Sequence, residues 1–256
     1  MIVKTSYICL LLSLIMLVPY ESLALTLSNS SDLFDQKRSN RVDQKNIGRT
    51  SSPESLSPKW SRNVIDTTAG ADFLTAEEKA VIIEINMVRT DPAAYASIYL
   101  EPLRAYYSGK LIKYPGEMVI STNEGVRALN ESIKVLKNTK PLHPLAPKKG
   151  LTLCARDHVR DQAKTGETGH EGSDGSDTFT RMSRYGKWNS SAGENISYGT
   201  SEARKIVTSL LIDDGVPSRG HRKNLLDRSF NFVGSGVGPH KAYNCMCVID
   251  FAGFYE

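Results

Sequence analysis

Beyond its first two dozen residues the chain lacks any long apolar run, any block of like charge and any density of cysteine. Each shortage excludes something. Without about eighteen consecutive apolar residues, no later stretch reads as a membrane span. The 32 basic and 28 acidic residues leave a net charge of +4, too even to argue for nucleic acid, and no Lys/Arg cluster reverses that. No H-E-x-x-H helix fixes two metal ligands on one face, and no G-x-S-x-G elbow marks an α/β-hydrolase. The acidic "SDGSD" stretch lacks the ligand spacing of an EF-hand, and there is no internal repeat.

Of the four cysteines, Cys9 lies in the N-terminal apolar run, leaving Cys154, Cys245 and Cys247. On a strand Cys245 and Cys247 share a face, and neighbours so close in an extended chain rarely bond to each other. The expectation is one disulfide from Cys154 to one of them, with an odd thiol left over.

What is present starts at the N-terminus. Lys4, the apolar run from Tyr7 to Val18, and the small residues Ser22 and Ala24 form the pattern of a secretory signal peptide over residues 1–24. An extracellular protein is therefore expected. Residues 25–72 are polar and without period, and read as a disordered lead in which Trp60 is solvated. The folded domain is expected over 73–256.

There the helical signals are clear. Thr75 and Glu78 form a capping box ahead of the stripe Val81, Ile82, Ile85 and Val88. Asp91 and Pro92 open a second helix. Ser121 and Glu124 read as a box for a third, with Val126, Leu129, Ile133 and Leu136 inward. "LTLCARDHVRDQAK" and "SEARKIVTSLLID" give two more. "FNFVGSGVG" and "AYNCMCVIDFAGFY" are aromatic and β-branched and read as a terminal strand pair, the glycines of "GSGVG" allowing close backbone packing. Helices with a few strands outside βαβ alternation indicate an α+β domain.

Of the five histidines, His158 faces inward as a core residue, His143 reads as a loop residue and His240 as exposed. His170 lies in a glycine-punctuated polar loop. Glu194 follows Gly193, and His221 follows Gly220, a setting that aims single side chains into a cleft. Two imidazoles and a carboxylate suit Zn²⁺ with an open position for water, or general acid–base work. Alternatively each braces its own loop.

"INMVRTDPAAYA", "HEGSDGSDTFTRM", "AGENISYG", "GHRKNLLDRSFNFVGSGVG" and "VIDFAG", in that order, resemble the CAP superfamily. That superfamily comprises cysteine-rich secretory proteins, antigen 5 and plant pathogenesis-related proteins of group one. The wording here is nearest its bacterial-type branch. The resemblance covers about 73–256 and implies a three-layer α-β-α sandwich, secretion, and a central cavity lined by two histidines and two acidic residues. His170, Glu194 and His221 match three of these positions, as a metal-ligand set in one cleft. The family's Trp-Tyr-x-Glu-like run is absent, and Asp213 or Asp214 stands nearest the fourth position.

No nucleophile is positioned by the sequence, and no catalytic residue is assigned. The leading expectation is a secreted, non-enzymatic protein binding a divalent metal, zinc first, or a small apolar ligand such as a lipid or sterol. A metal-dependent extracellular peptidase with Glu194 as base is the second. The third is an extracellular protein-interaction module with a vestigial cleft, its contact patch the tyrosine-bearing segment 101–117.

Overall fold

The computed structural model describes residues 60–256. The expectations for residues 1–59, the signal peptide and most of the lead, lie outside the described residues. From Trp60 the chain makes one turn, α1 (Arg62–Ile65), before α2 (Ala76–Thr90). The Thr75 hydroxyl accepts from Glu78 N–H while the Glu78 carboxylate accepts from Thr75 N–H, the reciprocal box expected. Asp91 caps α3 (Pro92–Tyr95), where the missing N–H of Pro92 is one no helix would use. A π turn and a 3₁₀ turn lead to a small antiparallel meander, β1 (Tyr107–Ser108), β2 (Leu111–Ile112) and β3 (Ile120–Ser121).

Then follow α4 (Val126–Asn138), β4 (Ala146–Pro147), α5 (Lys149–Thr165), α6 (Thr178–Ser183) and β5 (Trp188–Tyr198). The chain ends with α7 (Ala203–Ile212), α8 (Gly220–Leu225), β6 (Phe232–His240) and β7 (Asn244–Tyr255). The main sheet has the order β4-β6-β7-β5, so β5 is an outer strand.

Side chains alternate across a strand, and β7 therefore supplies two cores. Cys247, Ile249 and Phe251 pack with Ile82, Leu129 and Leu210 from α2, α4 and α7. Met246, Val248 and Ala252 pack on the other face, with Leu151 and Val159 of α5. The sheet lies between two helical layers, the α-β-α sandwich of an α+β domain. Gly234 shows how close the α5 layer sits. A Cβ there would lie 2.2 Å from backbone atoms of both Leu151 and Thr152, so a glycine is what lets α5 rest directly on β6.

Four expectations are corrected. Packing already includes Trp60, ahead of the expected residue 73. Trp60 Nε1 donates to Met87 O at 2.9 Å and its ring stacks on Tyr99. Asn86 holds this segment with amide bonds to Ile65 O and Thr67 Oγ1, and binds Leu145 in both directions. Ile65, Thr68 and Ala71 are buried as a result. Polar composition hid this because a buried asparagine supplies the tether.

Ser121 and Glu124 form no capping box. Ser121 pairs in β3, and Glu124 turns away to ion-pair with Arg219, 2.6 Å distant. Cys154, Cys245 and Cys247 are all free. Cys154 belongs to the α5-side core and Cys247 to the opposite one, with Cys245 two residues away on the same face, so the sheet stands between the expected partners. His240 is buried, its Nε2 2.9 Å from Glu167 O. "AGENISY" is strand, the second half of β5, although its polar look suggests loop.

Candidate functional site

Glu194 and Asn195 are neighbours on β5 and point to opposite faces of the sheet. Glu194 points toward α6. Its Oε1 accepts from Thr178 Oγ1 and from His170 Nδ1, each at 2.7 Å, and its Oε2 accepts from Arg181 at 2.8 Å. Thr178 and Arg181 are three residues apart on α6, one turn on the same side. Asp177 starts that helix, accepting from Thr180 N–H. Arg181 is buried with Glu194 and also donates to His170 O and Ser176 O, fixing the loop that presents His170. The same loop is tied from α5 and β5, since Gly169 O accepts from His158 and Gln162 and Gly169 N donates to Tyr198 Oη. His158 is thus the buried brace expected of it.

Burial alone pushes the Glu194 carboxyl up, but the His170 hydrogen bond and the Arg181 charge outweigh it and bring it down to about 2. An ionised carboxylate only accepts, so His170 Nδ1 donates in this bond. Directly opposite Glu194 in the β5–β7 register lies Asp250, fully buried beside Glu194 and Cys154, with neither carboxyl oxygen in a hydrogen bond of ordinary geometry among the described residues. Burial, and then the Glu194 charge, push its carboxyl well up, so it stays protonated where Glu194 is ionised. Burial likewise pushes the Cys154 thiol up, which removes it as a nucleophile.

His221 is built separately. α7 ends at Asp213, whose backbone is left-handed, φ 57°, a conformation aspartate adopts more readily than most. This turn folds the carboxylate back over the start of α8. Asp213 Oδ2 accepts from His221 N–H at 3.0 Å, and Oδ1 lies 2.7 Å from His221 Nδ1. Asp214 instead accepts from the Asn123 and Glu124 amides. Arg222 donates to Leu211 O and Ile212 O, closing the α7 C-terminus. Arg219 pairs with Glu124 and Glu131, and its hydrogen bonds hold both carboxyls down to about 2.

β5 joins the two halves. Asn195 Nδ2 donates to His221 O at 3.0 Å, and Asn224 Nδ2 donates to Glu194 O and to Asn195 Oδ1. The result is two imidazole–carboxylate pairs at one outer strand, His170–Glu194 and His221–Asp213. Neither ring's Nε2 has a hydrogen-bond partner among the described residues. The expected trio of His170, Glu194 and His221 is not assembled as a ligand set. Among the described residues no group of three or more His, Cys, Asp or Glu is placed to hold a metal ion. Glu194 stands behind His170 with its oxygens committed to three donors. Each imidazole has its Nδ1 beside a carboxylate, the outer-carboxylate arrangement that orients metal-ligating histidines elsewhere.

Sequence reasoning overlooked Thr178, Arg181 and Asp250. Arg181 lies within the quoted "HEGSDGSDTFTRM" but as a lone arginine on a short helix it reads as solvated. Asp250 had a usable signal, a carboxylate amid Val248, Ile249, Phe251 and Ala252 in a strand buried on both faces. Two surface hollows of about 390 and 230 Å³ border neither His170, Glu194 nor His221, and charged side chains dominate both linings.

The profile of the cysteine-rich secretory protein family, CAP, matches residues 119–251, more than half of the chain and every residue of both pairs. The chain belongs to the CAP family. Two solved structures are similar to it. One is an outer surface protein of Borrelia burgdorferi, 18% identical, covering 43% of this chain and 78% of its own, with a TM-score of 0.38. The other is an extracellular protein containing an SCP domain from Bacillus anthracis, 25% identical, covering 48% of this chain, with a TM-score of 0.38. The match spans 37% of the length of that Bacillus protein. No curated protein matches the chain. Among the described residues of this CAP domain, no helix is long and apolar enough to cross a membrane.

Proposed function

We propose that this CAP domain is an extracellular, non-enzymatic binding protein whose His170 and His221 hold a divalent cation, zinc by preference, through Nε2. The observation behind this reading is the pair of imidazoles with Nδ1 tied to Glu194 and Asp213 and Nε2 left open. Such outer carboxylates fix the tautomer and ring orientation and raise ligand basicity. Imidazole nitrogen suits zinc, and water would complete the coordination. The apolar-ligand alternative gains nothing from the two charged surface hollows.

The peptidase reading asks Glu194 to act as base. A base works best with a pKa near the working pH, whereas Arg181 and His170 keep this carboxyl down to about 2. A group so acidic, with its oxygens already engaged, abstracts protons poorly.

Titration calorimetry of the full chain with Zn²⁺ tests the proposal. Binding is expected in the parent and its loss in the His170→Ala/His221→Ala variant. A silent parent, or unchanged binding in the variant, would overturn it. Zinc-dependent cleavage of a peptide library that Glu194→Gln abolishes would overturn the non-enzymatic part.

A further inference from the structure

Seven large apolar side chains are exposed among the described residues, and four of them fall within residues 111–120. Met118 is 88% exposed, Val119 51%, Ile120 49% and Leu111 48%. Leu111 and Ile120 lie on the outward side of two-residue strands and Met118 and Val119 in the loop between them, so the meander β1-β2-β3 displays all four. It is nonetheless a held structure. Ile112 is buried beneath it, the Tyr106 and Tyr114 rings meet edge to face at 5.4 Å, and Lys113 N donates to Tyr106 O. Thr122 closes the other end with two bonds to Lys110 O.

The charges beside this apolar tip are lopsided. Lys110 and Lys113 are exposed and make no ion pair among the described residues. The one acid of the segment, Glu117, is neutralised by Lys205 at 2.7 Å. Protein interfaces are depleted in lysine. Anionic membrane surfaces attract it, and tyrosine and lysine reach from apolar depth to the headgroups. We infer that the 107–121 meander is a membrane-docking element, with Leu111, Met118, Val119 and Ile120 entering the headgroup boundary of an anionic phospholipid bilayer and Lys110 and Lys113 meeting its phosphates. This surface is separate from the histidine pairs and does not rest on their reading.

Hydrogen–deuterium exchange of the full chain with vesicles tests it, because the readout is local to 107–121 and association through another part of the chain does not register there. Vesicles of phosphatidylcholine with phosphatidylglycerol are expected to slow exchange across this segment, and pure phosphatidylcholine to slow it far less. Lys110→Glu/Lys113→Glu should weaken the vesicle concentration dependence of that protection at least about tenfold, and Met118→Ser/Ile120→Ser should abolish the protection. Unchanged exchange with the anionic vesicles would overturn the proposal. So would slow exchange of the exposed stretch 118–119 already present without vesicles, or equal slowing of the segment by pure phosphatidylcholine.

Discussion

Replacing Arg181 with methionine is expected to destabilise the domain by about 3–5 kcal/mol at neutral pH, the usual cost of removing one partner from a buried ion pair. The guanidinium is the charge that lets Glu194 remain ionised inside the protein. Without it a buried carboxylate faces a protonated Asp250 and an imidazole that cannot replace a fixed cation. Two carbonyls, His170 O and Ser176 O, lose a donor as well. Urea unfolding of parent and variant measures the difference. The loss must depend on pH in one direction. Glu194 has its carboxyl lowered on folding from 4.5 to about 2, so its pairing stabilises the fold above about pH 4.5 and that contribution fades as pH falls toward 2. The gap between parent and Arg181→Met should therefore be widest near neutrality and narrow across that window. Glu124 and Glu131 titrate in the same range, but they are common to both proteins and cancel in the difference.

The second large effect concerns the sheet. Gly234→Ala puts a methyl 2.2 Å from the backbone of α5 at two points. Overpacking against movable side chains costs about 1–3 kcal/mol; here the obstacle is backbone at the start of a helix, and the upper end or beyond is expected. α5 would have to lift from β6, disturbing Cys154 and His158 on that helix. Thermal unfolding reads this directly. Gly199→Ala is the contrast: no atom lies within 4 Å of its added methyl, and its cost is only that of a left-handed backbone, φ 97°.

The sequence was most legible where a local rule decides the structure. Thr75 with Glu78, and Asp91 with Pro92, name their helix starts because capping involves neighbouring residues. The glycines of "GSGVG" announced close packing, and the run of β7 announced a strand. Legibility ended where the deciding partner is distant. Glu124 was read as a cap for α4 because its partner Arg219 lies 95 residues on. Cys154 was read as pairing with Cys245 or Cys247 because nothing local says that a sheet separates them. Trp60 and Ile65 were read as lead because Asn86, which secures them, sits on the inner face of a helix read only for its apolar stripe.

The site divides the same way. Single residues beside glycine drew attention to His170, Glu194 and His221, and the family resemblance placed them in one region. Their relations were not legible. Whether Glu194 is a ligand or stands behind one depends on Thr178 and Arg181, and α6 was not foreseen. That Asp213 rather than Asp214 serves His221 depends on one left-handed backbone angle at the end of α7.

The central claim is that the two imidazoles bind a cation through Nε2 while their carboxylates hold Nδ1. The most direct measurement is side-chain ¹⁵N NMR of the histidines in the full chain during zinc titration. The account predicts that Nε2 of both His170 and His221 shifts on zinc addition while both Nδ1 atoms keep their protons. Zinc leaving both rings unchanged, or shifting Nδ1 in place of Nε2, would contradict it.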